Sequence, residues 1–488
     1  MVQLIIINVL RFYVKGCCLG RVSTGSNVLD LVLDGGFLAG GLVAITGPPG
    51  SGKTIFAANW IHNGVTKLGE KGLYVSFVEG YDSFSEYMHS LGLDFEKLES
   101  EGKFKFLEMI TLREAGVQAI LEQILHEIMD MNATMLVIDS FSAISQVIEK
   151  PYDTRILAHM VLSKIVRRLG CTTMILIEKM SGEEFYEPVE FLSDFIIHFD
   201  KTEVDGALLR HLRILKARGT EIRQPHLAFT LKGGFKAFCP LILGGLREPE
   251  KRFRLVQHYG DFYSSGIKDL DDFMGMMFRR GCYNLLEVKG DVTLPPERIL
   301  RATISNVLNQ GGYVVIFPPQ GLSALTVRKS LEPFVYENFL DHNLKIVDFR
   351  AATVEKVEPY VILLDGRSIK DDMICFWNAV SEFRKKSDRP IFTLVGFDTL
   401  EYVYGENEVL KILGEDLAKT RNLGDVRLNI VRPECAVADH LRSLANAHIV
   451  VRELCGAVFL QGIKPKTPLL NIEVHTNGES EVKLTPVL

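Results

Sequence analysis

The feature that most constrains this chain is that it repeats itself once. Residues 23–41, STGSNVLDLVLDGGFLAGG, and residues 264–282, SSGIKDLDDFMGMMFRRGC, share Gly25/Gly266, Leu29/Leu270, Asp30/Asp271, Phe37/Phe278 and Gly40/Gly281 at a constant spacing of 241 residues. Each stretch continues into an apolar strand, LVAIT at 42–46 and YNLLEV at 283–288, then a helix-like stretch and a second strand, GLYVSF at 72–77 and GYVVIF at 312–317. Agreement held in register over that span implies duplication of a domain of roughly 240 residues. With 488 residues the chain is in any case too long for one ordinary core. The expected organisation is an extension over 1–20, a first domain over 21–245, a linker over 246–260 that opens on the charged, proline-containing LREPEKRF, and a second domain over 261–488.

Within the first copy, GLYVSF, TMLVIDS at 134–140 and TTMILIE at 172–178 are short apolar runs rich in β-branched residues, as strands buried on both faces are. They alternate with amphipathic stretches, EAGVQAILEQILHEIMDM at 114–131 and DTRILAHMVLSKIVRRLG at 153–170. The alternation predicts an α/β fold, a mainly parallel sheet flanked by helices, built twice in tandem. A composition of 47% hydrophobic and 24% charged residues suits a soluble globular protein, and a formal charge of -6 gives no global pull toward nucleic acid. Eight cysteines without a C-x-x-C pair argue for reduced thiols and a cytoplasmic setting. The leading MVQLIIINVLRFYVKG has an apolar run too short to span a bilayer and reads as a start-site extension or edge strand, a subunit-contact arm or a membrane-surface anchor. No HExxH, EF-hand or G-x-S-x-G pattern occurs.

One motif carries chemistry outright. GPPGSGKT at 47–54 satisfies G-x-x-x-x-G-K-[ST] between an apolar strand and the helix-forming IFAANWIHNG. Gly47, Pro48, Pro49, Gly50, Ser51 and Gly52 would form the phosphate-binding loop, its glycines letting backbone N–H groups turn toward phosphate oxygens at a helix N-terminus. Lys53 would reach the β- and γ-phosphates of ATP, and the Thr54 hydroxyl would coordinate Mg2+. Asp139, closing the apolar TMLVID, is the expected metal-side acid; an aspartate there can alternatively cap the next helix.

Together with RVSTGSNVLDLVLDGGFLAGG, the stretches DSFSAI at 139–144, EPVEFLSDFIIHF at 187–199 and LKARGT at 215–220 resemble the KaiC-like family of RecA-fold ATPases over residues 21–237. The resemblance implies two tandem RecA-like domains, assembly into homo-oligomers such as hexameric rings, and ATP at subunit boundaries. It also implies that Lys216 and Arg218 reach in trans to a neighbour's γ-phosphate. Two cations one residue apart on an extended segment share a face, so they can meet one anion or equally line a solvated edge. The family carries paired glutamates after its second strand, whereas here SFVEG places Val78 at the first position and leaves Glu79. Valine cannot orient or deprotonate water, so Glu79 is the remaining candidate, with Glu178 a further candidate for sensing phosphate.

In the second copy the corresponding stretch is VKGDVTLPPERI, and Lys53 becomes Leu294 or Pro296 according to whether a gap is placed. Consecutive prolines oppose an anion-binding nest because proline has no N–H. TLVGFD at 393–398 keeps an apolar strand ending in Asp398, read as structural, and KPKT at 464–467 offers Lys464 and Lys466 as remnants or a small anion contact. The expected function is an ATP-driven regulatory switch acting on an unidentified protein partner. The alternatives are a recombinase paralogue on DNA, disfavoured by the acidic loop SGEEFYEP at 181–188, and a non-hydrolysing ATP-sensing scaffold.

Overall fold

The computed structural model describes residues 20–109, 116–143, 169–180, 188–240, 255–258, 260–275, 278–290, 292, 296–350, 357–432, 434–474 and 482–488. The expectations for residues 1–19, for the helix over 153–168, for the loop 181–187 and for the stretch 246–253 lie outside the described residues. The chain divides into two compact units, one running to Phe238 and including Val487–Leu488, the other comprising Cys239–Pro486.

In the first unit a two-stranded ribbon, β1 (Arg21–Val22) and β2 (Phe37–Leu38), precedes a nine-stranded sheet. Its strands are β3 (Leu42–Gly47), β4 (Gly72–Ser76), β5 (Phe104–Glu108), β6 (Met135–Asp139), β7 (Thr172–Glu178), β8 (Phe195–Val204), β9 (Ala207–Ala217), β10 (His226–Thr230) and β11 (Lys236–Ala237), in the order β11-β10-β9-β8-β3-β7-β6-β4-β5. The pairings from β8 to β5 are parallel, and those among β8, β9, β10 and β11 are antiparallel. β3, β4 and β6 are buried along their whole lengths, as their unbroken apolar sequences demand. Leu42 and Ala44 of β3 belong to the same buried apolar cluster as Ile120, Ile124 and Ile128 of the helix Gly116–Met131. The helix Lys53–Leu68 buries Phe56 and Trp60, whose ring meets Phe37 edge-on.

The second unit repeats this plan. A ribbon of β12 (Phe262–Tyr263) and β13 (Phe278–Arg279) precedes β14 (Tyr283–Lys289), β15 (Val314–Phe317), β16 (Leu344–Phe349), β17 (Val361–Leu364), β18 (Phe392–Gly396), β19 (Val426–Val431), β20 (His448–Leu454), β21 (Ala457–Lys464), β22 (Leu470–Val474) and β23 (Val482–Pro486). The sheet order β17-β16-β15-β18-β19-β14-β20-β21-β22-β23 is that of the first unit with one extra edge strand, β17.

The duplication extends to single hydrogen bonds. Asp30 accepts the Thr24 N–H at 2.7 Å and the Ser23 hydroxyl at 2.5 Å, while the Gly25 N–H donates to Ser23 Oγ at 3.1 Å. Asp271 accepts the Ser265 N–H at 2.8 Å and the Ser264 hydroxyl, and the Gly266 N–H donates to Ser264 Oγ at 2.9 Å. Ala44 and Leu285, 241 residues apart, pair with Ile196 and His448 respectively. From those anchors both hairpins show the same register shift, between Ile196 and Ile197 and between His448 and Ile449. Lys464, opposite His448, therefore holds the place of Lys216, opposite Ile196.

Candidate functional site

The residues of GPPGSGKT lie at the C-terminal end of β3 and lead directly into the helix Lys53–Leu68. Gly47, Gly50 and Gly52 have φ of 146°, 71° and 104°, values that a side chain would strain. A Cβ on Gly47 would sit 2.1 Å from the Phe199 carbonyl oxygen, so that glycine is required by space as well. Lys53 is 8% exposed, and its Nζ donates to the Gly47 carbonyl at 2.8 Å and the Pro48 carbonyl at 3.0 Å. Burial pushes its ammonium below the ordinary lysine range, against the pull of the Glu178 and Asp139 carboxylates. The Ser51 hydroxyl is buried with no hydrogen-bond partner among the described residues.

Asp139 arrives beside this loop because β6 lies two strands from β3 in the sheet, separated by β7. Its Oδ2 accepts from Thr54 Oγ1 at 2.9 Å and from the Tyr74 hydroxyl at 2.7 Å. Burial raises its pKa, opposed by those two donors and by the Lys53 charge. Thr54 and Asp139 thus present adjoining oxygens of the kind a hard cation takes, and Mg2+ is held by one or two protein oxygens together with substrate phosphates. No group of three or more candidate metal-ligating His, Cys, Asp or Glu side chains occurs among the described residues. The glycine conformations, the partnerless Ser51 hydroxyl and the Thr54–Asp139 pair fit a nucleotide phosphate chain with Mg2+.

Glu79 follows β4, where Ser76 Oγ donates to the Glu79 carbonyl at 2.7 Å and accepts the Glu79 N–H at 3.1 Å. This tight turn leaves Val78 58% exposed and Glu79 half-buried. Burial, and secondarily the Asp139 charge, raise the Glu79 pKa. Glu178 ends β7 directly opposite Gly47, with an exposed side chain.

Lys216 and Arg218 lie elsewhere. Lys216 is opposite Ile196, and Ile196 pairs with Ala44, three residues before Gly47; Arg218 N–H bonds to Asp194, whose own N–H bonds to Leu42. At about 3.3 Å per residue they stand roughly 10 to 17 Å down the sheet from the loop of their own chain. Lys216 Nζ donates to the Phe191 carbonyl at 3.1 Å, and Arg218 pairs with Asp194 at 2.7 Å.

The second unit reverses each ligand-binding element. Pro296 opens the helix Pro296–Asn309 as Lys53 opens its helix. The Cβ positions of Gly25 and Gly266 meet Asn59 O and Ala302 O, which fixes a helix spacing of 243 residues and selects Pro296 over Leu294 as the residue in place of Lys53. The expectation that Asp398 ends a strand is corrected: β18 ends at Gly396, which holds the level of Asp139, and Asp398 lies in the helix Phe397–Tyr404. A Cβ on Gly396 would sit 2.4 Å from the Cα of Pro319, so no carboxylate fits there. Asp398 instead accepts the Gln320 N–H at 3.2 Å and pairs with Arg432 at 3.5 Å, a structural role as expected.

Three residues near the loop had no signal in the sequence. Tyr74 lies within a uniformly apolar strand, and Lys201 and Arg210 lie in an ordinary hairpin; only strand pairing carries them to the site.

The family described as "ATPase: KaiC" matches residues 22–235. A UPF0273 protein of Pyrococcus furiosus is 32% identical over 216 residues, spanning 41% of this chain and 86% of that protein. The circadian clock oscillator protein KaiC of Thermostichus vulcanus is 27% identical over 272 residues, spanning 52% of this chain but only 49% of KaiC. Among solved structures, a KaiC-like protein of Pyrococcus horikoshii OT3 aligns at 31% identity over 45% of this chain and 100% of its own, with a TM-score of 0.42. An intact phosphate-binding loop, a threonine and aspartate poised beside it, and a family match together with UPF0273 proteins more than 30% identical and spanned over most of their length place the chain in the KaiC-like family of RecA-fold P-loop ATPases.

Proposed function

We propose that this chain is a nucleotide-driven regulatory ATPase whose first unit binds Mg·ATP and turns it over while assembled with copies of itself. The second unit then serves as a structural or partner-binding tier. The observation that carries this reading is the asymmetry between the units: Lys53, Thr54 and Asp139 stand together in one, and Pro296, Glu297 and Gly396 hold their places in the other.

The loop Gly47 to Gly52 cradles the phosphates, with Gly50, Ser51 and Gly52 supplying backbone N–H groups, and Lys53 exchanges its two carbonyl partners for phosphate oxygens. Mg2+, when bound, neutralises charge between phosphate oxygens, and Thr54 and Asp139 are the residues that hold it. Glu79 orients water: burial and the Asp139 charge raise its pKa, which moves it toward the range useful for a general base. Val78 turns outward, so the substitution removes one carboxylate without displacing the other. Lys216 and Arg218 are too far down the sheet to serve their own loop, which supports action on a neighbour's nucleotide in a ring of six, coupling assembly to turnover. No helix among the described residues is long and apolar enough to cross a membrane, and the reading is of a cytoplasmic protein.

The test is steady-state phosphate release with Mg·ATP, beside molecular mass with and without nucleotide, for wild type and Lys53→Ala. Turnover lost in Lys53→Ala together with ATP-dependent assembly supports the reading. Tight ATP binding without release replaces it with a nucleotide-gated scaffold, and salt-sensitive DNA binding with a recombinase-like activity.

A further inference from the structure

Lys201 on β8 and Arg210 on β9 are direct partners across the hairpin, and both reach the crown of the phosphate loop of their own chain. Arg210 donates through a terminal nitrogen to the Gly50 carbonyl at 2.8 Å, and through Nε to the Leu488 carbonyl at 2.9 Å. Lys201 Nζ lies 3.4 Å from the Pro49 carbonyl. Neither cation pairs with an Asp or Glu side chain among the described residues. In a planar trans peptide the C=O and the following N–H point in opposite directions. Cations holding the Pro49 and Gly50 carbonyls outward therefore turn the Gly50 and Ser51 N–H groups toward the interior of the loop.

The second unit supplies an internal control. The two hairpins share one register and one bulge, so the places of Lys201 and Arg210 are taken by Glu453 and Val458, which again face each other across the strands. Lys216 is kept in the copy, as Lys464, although that copy lacks a phosphate loop. The cations over the crown are thus lost with the loop, while the cation at the other end of the hairpin survives. Hairpin stability does not require them, because the same hairpin forms with a carboxylate and a valine.

The geometry points to Lys201 and Arg210 as positioning residues for the nucleotide: they set the peptide orientations of the loop crown from outside and add two positive charges beside the phosphate site. This rests on the ATP-binding reading of the first unit. It separates two roles on one hairpin, with Lys201 and Arg210 serving their own chain's phosphate loop from one end and Lys216 and Arg218 turned away from it at the other.

Calorimetric titration of the full chain with ATP, paired with steady-state kinetics, tests it on Lys201→Ala, Arg210→Ala, Arg210→Lys and Arg213→Ala. Arg213 is a cation on the same strand that makes no contact with the loop crown. The expected result is an ATP Kd raised about tenfold in Arg210→Ala and about threefold in Lys201→Ala, the difference following their contact distances. Arg210→Lys recovers part of the loss, Arg213→Ala leaves Kd unchanged, and kcat at saturating ATP stays within about twofold in all four. An unchanged Kd in Arg210→Ala, a loss confined to kcat, or an equal effect from Arg213→Ala overturns the assignment. Wild-type Kd in Lys53→Ala overturns the ATP-site reading itself, so the two failures are distinguishable.

Discussion

The two units carry the same strand order, the same aspartate-centred knot at Asp30 and Asp271, and the same bulge beside Lys216 and Lys464, yet differ at the places of Lys53, Thr54 and Asp139. The comparison separates what the fold needs from what the ligand needs without recourse to any other sequence. Asp194 Oδ2 accepts the Leu42 N–H at 3.1 Å, and Asn446 Oδ1 accepts the Tyr283 N–H at 3.0 Å, so that bridge belongs to the fold. On the proposed function the carboxylate at Asp139 serves the ligand, and its counterpart is a glycine pressed against Pro319. Buried carboxylates of the second unit pair with arginines instead: Asp398 with Arg432, Asp416 with Arg427 and Glu287 with Arg442.

The sharpest way to break the comparison is to remove paired acids. Asp139→Asn is expected to lower phosphate release by about a hundredfold or more, since it removes the charged oxygen on the metal side. Asp398→Asn is expected to leave release unchanged and to destabilise the second unit by about 1 to 3 kcal/mol, through a buried partner of Arg432 made neutral. Phosphate release and urea denaturation of both variants are the measurements, and a turnover loss from Asp398→Asn would sink the division of labour.

The cations at the other end of the hairpins come next. Arg218→Ala is expected to cost turnover by about a hundredfold at unchanged ATP affinity, and to be complemented when mixed with Lys53→Ala subunits, because a neighbour supplies the missing group. Lys466→Ala in the second unit should do neither. Failure of the mixed assembly to recover activity would return Arg218 to a local pairing with Asp194.

A smaller effect separates fold from ligand from the opposite side. Asp30→Ala and Asp271→Ala each strip an aspartate that accepts a serine hydroxyl and the following residue's N–H in the same arrangement, Asp30 accepting the Thr24 hydroxyl as well. Each should cost about 2 kcal/mol, and local hydrogen exchange should report equal losses of protection near residues 24–33 and 265–274. Unequal losses would mean that the copies no longer depend on their knots alike.

Much of this comparison was legible in the sequence, for reasons that differ by element. The parallel core was legible because strands buried on both faces leave unbroken apolar runs, and the phosphate loop because its glycines cannot be replaced at their φ values and spacings. Register was not legible. TLVGFD reads as a strand ending in aspartate, yet pairing stops at Gly396 and the chain turns into a helix, moving Asp398 out of the Asp139 position. Lys201, Arg210 and Tyr74 were hidden for the same reason: their contacts are set by which strand lies beside which, and local pattern does not encode that. The spacing of the helix after the second loop was open between Leu294 and Pro296 until Gly266 was placed against Ala302.

Acid should distinguish the units at one strand position, Thr46 in the first and Glu287 in the second. Thr46 Oγ1 lies 2.9 Å from His198 Nδ1, and burial lowers the His198 pKa below its ordinary 6.5, outweighing Asp200. A histidine depressed on folding binds its proton more readily when unfolded, so its contribution is complete above pH 6.5 and is lost as pH falls through the folded value. Burial alone would raise Glu287, but His448 at 3.0 Å and Arg442 at 2.6 Å outweigh it and hold the carboxyl at about 2, against an ordinary 4.5. Its contribution is complete above pH 4.5 and is lost between there and about pH 2. Hydrogen exchange followed from pH 7 to pH 4 should therefore show β3 and β8 losing protection before β14 and β20. His198→Asn should remove the earlier loss without shifting the later one, and simultaneous loss in both strand pairs would show that position 46 and position 287 do not set the order.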